Sequence, residues 1–222
     1  MGEENPLFET SVFINCPFDD QYRPLLKILI FTLVNYGMVP RIALENSDSG
    51  KARITKILQL INECKYGIHD LSRLKSTKAR EFYRLNMPFE LGIDFGARNF
   101  NKTLSSKKFL ILEASNFDYM KSLSDINGFD IKIHDNNSEK MIESVRSWLI
   151  ESVELRNIDA PMKVWYQFTD FGERNFEAKF KKYWPDYVDH IASSMANQEI
   201  DKMPIPEFIT EIVNFFKSMK KS

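Results

Sequence analysis

The chain has few of the residues that build covalent or metal-held scaffolds. Its 222 residues include two cysteines, Cys16 and Cys64, and three histidines. Two thiols do not make a disulfide framework, and no paired cysteine or histidine spacing fits a zinc site. We therefore expect no resident cofactor or metal, although a magnesium ion carried by substrate phosphates could still bind Asp19 or Asp20.

The chain has no large excess of positive or negative charge, and it has no long hydrophobic run. The 30 Lys and Arg residues balance 31 Asp and Glu residues, which leaves a formal net charge of −1. The most apolar stretch, residues 25–34, is too short to cross a bilayer. Residues 1–6 carry acids, whereas a signal peptide begins with a basic segment. The sequence therefore predicts a cytoplasmic protein that does not bind membranes.

Two kinds of apolar pattern alternate along the first two thirds of the chain. The predicted strands are residues 11–15, 38–43, 66–69, 108–113 and 128–134. The predicted helices are residues 20–36, 52–64, 89–99 and 139–151. Parallel strands need crossover connections, and these pack on the faces of the sheet. The alternation therefore predicts an α/β domain over residues 1–153, with a flavodoxin-like parallel sheet and helices on both faces.

Residues 154–222 differ from the rest in being rich in aromatic residues and predominantly helical in pattern. Aromatic residues interleaved with lysines can stack on single-stranded nucleic acid, but here acidic residues outnumber basic ones. Nucleic acid is therefore not an expected partner. Residues 204–219 form an amphipathic pattern with Phe208, Ile212 and Phe215 on one face. We expect this C-terminal extension to pack against the sheet domain or a second copy of the chain.

One acid, Glu90, lies within an otherwise apolar helical segment. The segment reads Asn-Met-Pro-Phe-Glu-Leu-Gly over residues 86–92, and Pro88 suits the first turn of a helix. A carboxylate in that first turn lies near the positive end of the helix dipole, which favours its ionised form. The alternative is that Glu90 only caps the helix.

Further polar residues follow two predicted strands. Asn15, Phe18 and Asp19 stand at or just after the end of the first strand, and Asp70 and Ser72 stand at the end of the third. The carboxyl ends of parallel strands meet at one edge, where ligands bind in open α/β sheets. The alternative is that the aspartates cap turns or helices. The pattern predicts a polar site at this edge, to which Glu90 also contributes.

These residues resemble a known family. Asp70 at a strand end, followed by a loop and a Phe-Glu-Leu-Gly helix start at residues 89–92, is similar to the nucleoside 2-deoxyribosyltransferase-like group. That group is related in fold to bacterial TIR-like NAD hydrolases. Residues 13–20, Phe-Ile-Asn-Cys-Pro-Phe-Asp-Asp, also resemble the opening strand and loop of this superfamily. The resemblance covers residues 10–115.

The resemblance implies catalytic roles for two acids. Glu90 would attack or electrostatically support the anomeric carbon of a ribosyl group, and Asp70 would help to hold the sugar or base. Breaking an N-glycosidic bond builds positive charge on the ribose, and a fixed carboxylate stabilises that charge or traps it covalently. A cationic nicotinamide leaving group departs neutral, so one well-placed glutamate suffices.

A basic segment between the two acids indicates a phosphorylated substrate. It contains Arg73, Lys75, Lys78, Arg80 and Arg84 against a single acid, Glu81. Arginine binds phosphate oxygens well, although an exposed loop can carry such charges for solubility alone. The complete set of predicted substrate-binding residues is Asn15, Phe18, Asp19, Arg53, Ser72, Arg80, Arg84 and Asn86.

The sequence thus favours an N-glycosidase that cleaves the base–ribose bond of a nucleotide, with NAD as a substrate and not as a cofactor. By analogy with the family, NAD hydrolysis would serve bacterial antiviral defence, and the resemblance admits a homo-oligomer or a defence-system partner protein. The alternative is a non-catalytic TIR-like module that binds a nucleotide or a protein and signals by assembly.

Overall fold

The computed structural model describes residues 7–45, 48–73, 85–115, 119 and 123–220. The strands are β1 (Ser11–Asn15), β2 (Val39–Ile42), β3 (Tyr66–Asp70), β4 (Lys108–Glu113) and β5 (Ile131–Ile133). The helices are α1 (Arg23–Asn35), α2 (Arg53–Glu63), α3 (Asn86–Phe100), α4 (Ser138–Glu151), α5 (Pro161–Tyr183), α6 (Asp189–Lys202) and α7 (Ile205–Met219). Within the described residues, no helix is both long enough and apolar enough to traverse a bilayer.

The described strands form one sheet in the order β2-β1-β3-β4-β5, and every pair is parallel. This is the flavodoxin-like order, so the predicted fold is confirmed. The register places Asn15 of β1 beside His69 of β3. It also places Asp70 beside Leu112 of β4. The carboxyl ends of the central strands therefore meet at one edge.

Helices cover both faces of the sheet because alternate strand residues point to opposite sides. On one face, Phe13 packs with Ile57, Leu60 and Ile61 of α2, and α2 contacts α3. On the other face, the ring of Tyr66 meets that of Trp148 in α4 at 6.0 Å, and α4 contacts α1. The central strands are buried along their whole length as a result.

Two boundaries differ from the sequence prediction in ways that matter for the site. Helix α3 begins at Asn86, whereas the apolar pattern placed its start at Phe89. Glu90 therefore lies in the second turn, and the prediction that it occupies the first turn is wrong. Strand β5 covers only Ile131–Ile133, shorter than the predicted residues 128–134. Gly128 has a φ of +102°, a left-handed conformation that does not continue a strand.

The chain divides into two compact units, one ending at Ile158 and the other beginning at Asp159. The predicted boundary lay five residues earlier, between residues 153 and 154. The second unit consists of α5, α6 and α7, so the C-terminal region is helical as predicted. Phe171 of α5 packs edge-on against Phe208 and Phe215 of α7, with ring centroids 5.8 and 5.5 Å apart.

Candidate functional site at the β1/β3 edge

The order of strands reverses direction between β1 and β3, because β2 lies on one side of β1 and β3 to β5 lie on the other. A crevice opens at such a point, outside the carboxyl ends of the two strands. Here it is a cavity of about 510 Å³. Its lining residues are Asn15, Cys16, Pro17, Phe18, Arg53, Leu85, Asn86, Met87 and Glu90. Five residues that the sequence predicted for the site therefore share one cavity.

Glu90 supplies the carboxylate of this cavity. The residue is 5% exposed, and among the described residues its side chain has no hydrogen-bonding or ion-pairing partner. Burial raises the pKa of Glu90 to about 7, and the charge of Arg53 only partly opposes that shift. The expectation that the helix dipole favours the ionised form is therefore wrong, because the effect of burial is larger at this second-turn position.

Arg53 and Phe18 form a second part of the wall. Arg53 is the first residue of α2, and its guanidinium carbon lies 5.3 Å from the centre of the Phe18 ring. This cation–π contact holds a charged side chain that is otherwise exposed. The cavity thus combines a cation with an aromatic surface, which are the groups that bind phosphates and flat bases.

Asn15 connects the cavity to a buried polar network. Its Nδ2 atom donates to the Met87 carbonyl oxygen at 2.8 Å and to Nδ1 of His69 at 3.1 Å. Nε2 of His69 lies 3.1 Å from Oδ2 of Asp94, and Oδ1 of Asp94 lies 3.1 Å from Nζ of Lys107. His69 is therefore a buried histidine whose two ring nitrogens both have partners.

Lys107 completes the network at its far end. Its side chain is fully buried and pairs with Asp94 by charge, while its ammonium group donates hydrogen bonds to the carbonyl oxygens of Ile61 and Cys64. Sequence reasoning did not identify Lys107 or Asp94. Asp94 carried the same signal as Glu90, however, because it is an acid one helical turn later in the same apolar segment.

Asp70 does not line the cavity, because its carboxylate is fully buried among four hydrogen-bond donors. The donors are the Tyr22 hydroxyl at 2.5 Å, the Ser72 backbone N–H at 2.9 Å, the Ser72 hydroxyl, and Nε2 of His134 at 3.0 Å. Burial alone would raise the pKa of Asp70, but these hydrogen bonds outweigh it and hold this pKa below its ordinary value. Asp70 is therefore an ionised group that organises the edge of the sheet.

The combination of Ser72, His134 and Asp70 is not a nucleophilic triad. In such a triad the carboxylate binds one ring nitrogen of the histidine and the hydroxyl binds the other. Here both partners share Nε2, while Nδ1 accepts the backbone N–H of Asn136 at 3.1 Å. Nε2 therefore carries a ring proton and is not free to accept one from Ser72. Sequence reasoning also missed Tyr22 and His134 as partners of Asp70.

Cys16 lines the cavity but lacks the character of a nucleophile. Burial raises the pKa of its thiol well above the ordinary value, and the carboxylates of Asp70, Glu90 and Asp19 raise it further. A thiol in this state is not ionised near neutral pH.

Of the remaining predicted residues, Asp19 and Ser72 lie outside the cavity lining and Asn86 belongs to it. Asp19 accepts the backbone N–H of Tyr22 at 2.9 Å and pairs with Arg73, with Nε and Oδ2 3.4 Å apart, so it shapes the turn before α1. Ser72 contacts Asp70 and His134. Asn86 is exposed and lines the cavity. Arg80 and Arg84 lie outside the described residues.

No cluster of three or more potential metal ligands occurs within the parts of the chain that the structure describes. No protein-family model, curated protein or solved structure matches the chain.

Proposed function

We propose that the chain is an N-glycosidase that cleaves the base–ribose bond of a nucleotide, with NAD as its favoured substrate. The observation that supports this most is the carboxylate of Glu90, which opens into a cavity at the β1/β3 edge and has no partner among the described residues. A structural carboxylate is normally paired when it is buried. A carboxylate left without a partner beside a cavity has the arrangement of a catalytic group.

The cavity supplies a separate chemical role for each of its polar residues. Glu90, when ionised, stabilises the oxocarbenium-like ribose or attacks its anomeric carbon. Arg53 faces the phosphate groups, and Phe18 provides an aromatic surface for the base. Neutral nicotinamide leaves from a substrate in which it was cationic, so the reaction needs no strong general acid. The role in bacterial defence remains a proposal based on the family resemblance.

The pH profile of the reaction tests the role of Glu90. An ionised glutamate must be the active form, so kcat/KM should rise with pH and level off above about 7, the pKa of Glu90 in the folded protein. A general acid would give the opposite profile, with kcat/KM falling above that pH. Purified protein would be incubated with NAD, NADP, ATP and deoxynucleosides, and released base would be measured by chromatography.

Substitution of Glu90 provides the direct test. Glu90→Gln preserves size but removes the charge, and we expect base release to fall on the order of a hundredfold or more. Glu143→Gln, at an exposed position of α4, is the matched control and should keep wild-type activity. Equal rates for wild type and Glu90→Gln would contradict the catalytic role. Nucleotide binding without turnover in the wild type would identify a binding module instead.

The role of Arg53 is tested by comparing substrates with and without phosphate. Arg53→Gln should raise KM for a phosphorylated nucleotide and leave KM for the corresponding nucleoside nearly unchanged. The effect should diminish as salt is added, because Arg53 is exposed. A parallel loss for both substrates would show that Arg53 acts only by holding Phe18.

A further inference from the structure

Asn15 is fixed in one amide orientation by its two partners. Both of its amide hydrogens are used, one by the Met87 carbonyl oxygen at 2.8 Å and the other by Nδ1 of His69. The flipped orientation would place the Asn15 carbonyl oxygen against that of Met87, and two acceptors cannot share a hydrogen bond. The Oδ1 atom is therefore the atom of Asn15 that remains for a ligand in the cavity.

The contacts of His69, Asp94 and Lys107 fix the same direction of hydrogen bonding. Because Nδ1 of His69 accepts from Asn15, its proton must be on Nε2, which donates to Asp94 at 3.1 Å. Asp94 has only acceptors, and its second oxygen faces the ammonium group of Lys107. His69, Asp94 and Lys107 are all fully buried, which restricts them to this arrangement. The two hydrogen bonds of His69 therefore fix each other's direction.

We propose that Lys107, Asp94 and His69 are positioning residues that make Oδ1 of Asn15 a permanent hydrogen-bond acceptor in the cavity, and that the site thereby selects a ribose over a 2′-deoxyribose. The ligand class rests on the proposed function. With Glu90 beside the anomeric carbon, the nearest sugar hydroxyl is the one on C2′. A 2′-hydroxyl can donate to Oδ1, whereas a deoxy sugar leaves that buried oxygen without a partner.

The polarity of the network can be tested without ligand or turnover. Nitrogen NMR of the wild-type protein would report which ring nitrogen of His69 carries the proton, with the resonances assigned through His134→Gln and His190→Gln. We expect Nδ1 to be unprotonated and Nε2 protonated. A protonated Nδ1 would overturn the proposal, because Asn15 would then present its amide hydrogens to the cavity. This result does not depend on whether the protein is a glycosidase.

The sugar preference can be tested by binding alone. AMP with dAMP and CMP with dCMP would be titrated into Glu90→Gln protein, in which turnover is suppressed. We expect the ribose form to bind about tenfold or more tightly, which corresponds to one lost hydrogen bond to a buried group. Adding Asn15→Ala should bring the ratio close to one, whereas adding Asn62→Ala, an exposed asparagine of α2, should leave it unchanged.

A milder substitution covers the case in which Asn15→Ala does not fold. Asp94→Asn keeps the shape of the side chain but allows it to donate to Nε2 of His69, which would move the histidine proton to Nδ1. We expect this variant to lose the ribose preference together with the tautomer. Equal binding of both sugars to the parent protein, a preference that survives in both variants, or no binding of either pair would overturn the proposal. Base release without a ribose preference would retain the proposed function and refute only this inference.

Discussion

Replacing Glu90 with glutamine should stabilise the fold at neutral and alkaline pH while it removes activity. In the folded protein the pKa of Glu90 is raised to about 7, against an ordinary value of 4.5. Between these values the folded state binds more protons than the unfolded state, so the free energy of unfolding falls as pH rises. The full penalty is present above about pH 7 and is absent below about pH 4.5. Glutamine carries no charge and therefore avoids this penalty.

The size of the effect follows from the two pKa values. Each unit of difference corresponds to about 1.4 kcal/mol, which gives an upper bound of about 3 kcal/mol for Glu90. The carboxylate opens into a cavity where water screens it, so about 1–2 kcal/mol is a realistic gain. For a chain of this size the gain corresponds to an increase in Tm of about 3–6 °C.

Thermal unfolding at two pH values provides the assay. Glu90→Gln should melt above the wild type at about pH 8, and the two should coincide at about pH 4. Glu143→Gln should match the wild type at both, because that glutamate is exposed. An unchanged or lower Tm for Glu90→Gln at the higher pH would refute the reasoning, since it would mean that the folded protein does not pay to keep this carboxylate ionised.

Two further substitutions test the buried polar groups near the cavity. Gly67→Ala should reduce stability by roughly 1–3 kcal/mol, because the added carbon would lie 2.6 Å from Oδ2 of Asp94. Gly92→Ala, with nothing within 4 Å, is its control and should be neutral or slightly stabilising. Tyr22→Phe removes a donor from Asp70, whose pKa is held below its ordinary value, so stability should be lost at a higher pH during acid titration than in the wild type. An acid-unfolding midpoint equal to that of the wild type would show that the remaining donors suffice.

The sequence predicted the parts of this molecule that depend on local pattern. Strand β4 has the predicted bounds, Lys108–Glu113, because its apolar run is continuous and flanked by polar residues. The positions of Asn15 and Glu90 at one edge followed from the rule for parallel strand ends, and both line the cavity. These predictions needed no knowledge of which side chains touch.

The contacts between distant residues could not be predicted in the same way. His134 follows β5 and contacts Asp70 of β3 across the end of β4, and a local sequence pattern does not specify a side-chain contact between strands that are not neighbours. The start of α3 was also misplaced, because Asn86 and Met87 fit a loop as well as a helix. That difference of one turn moved Glu90 away from the helix end and left burial to determine its pKa.

The polar contacts around the cavity join residues that are far apart along the chain, and this has a consequence for folding. The Asn15–Met87 contact spans 72 residues, Ser72–His134 spans 62, and Asn15–His69 spans 54. Closing each of these loops costs chain entropy that no local contact compensates in advance. The cavity therefore cannot form until the segments that carry β1, β3 and α3 have come together, and a nascent chain that ends before Glu90 has no complete cavity.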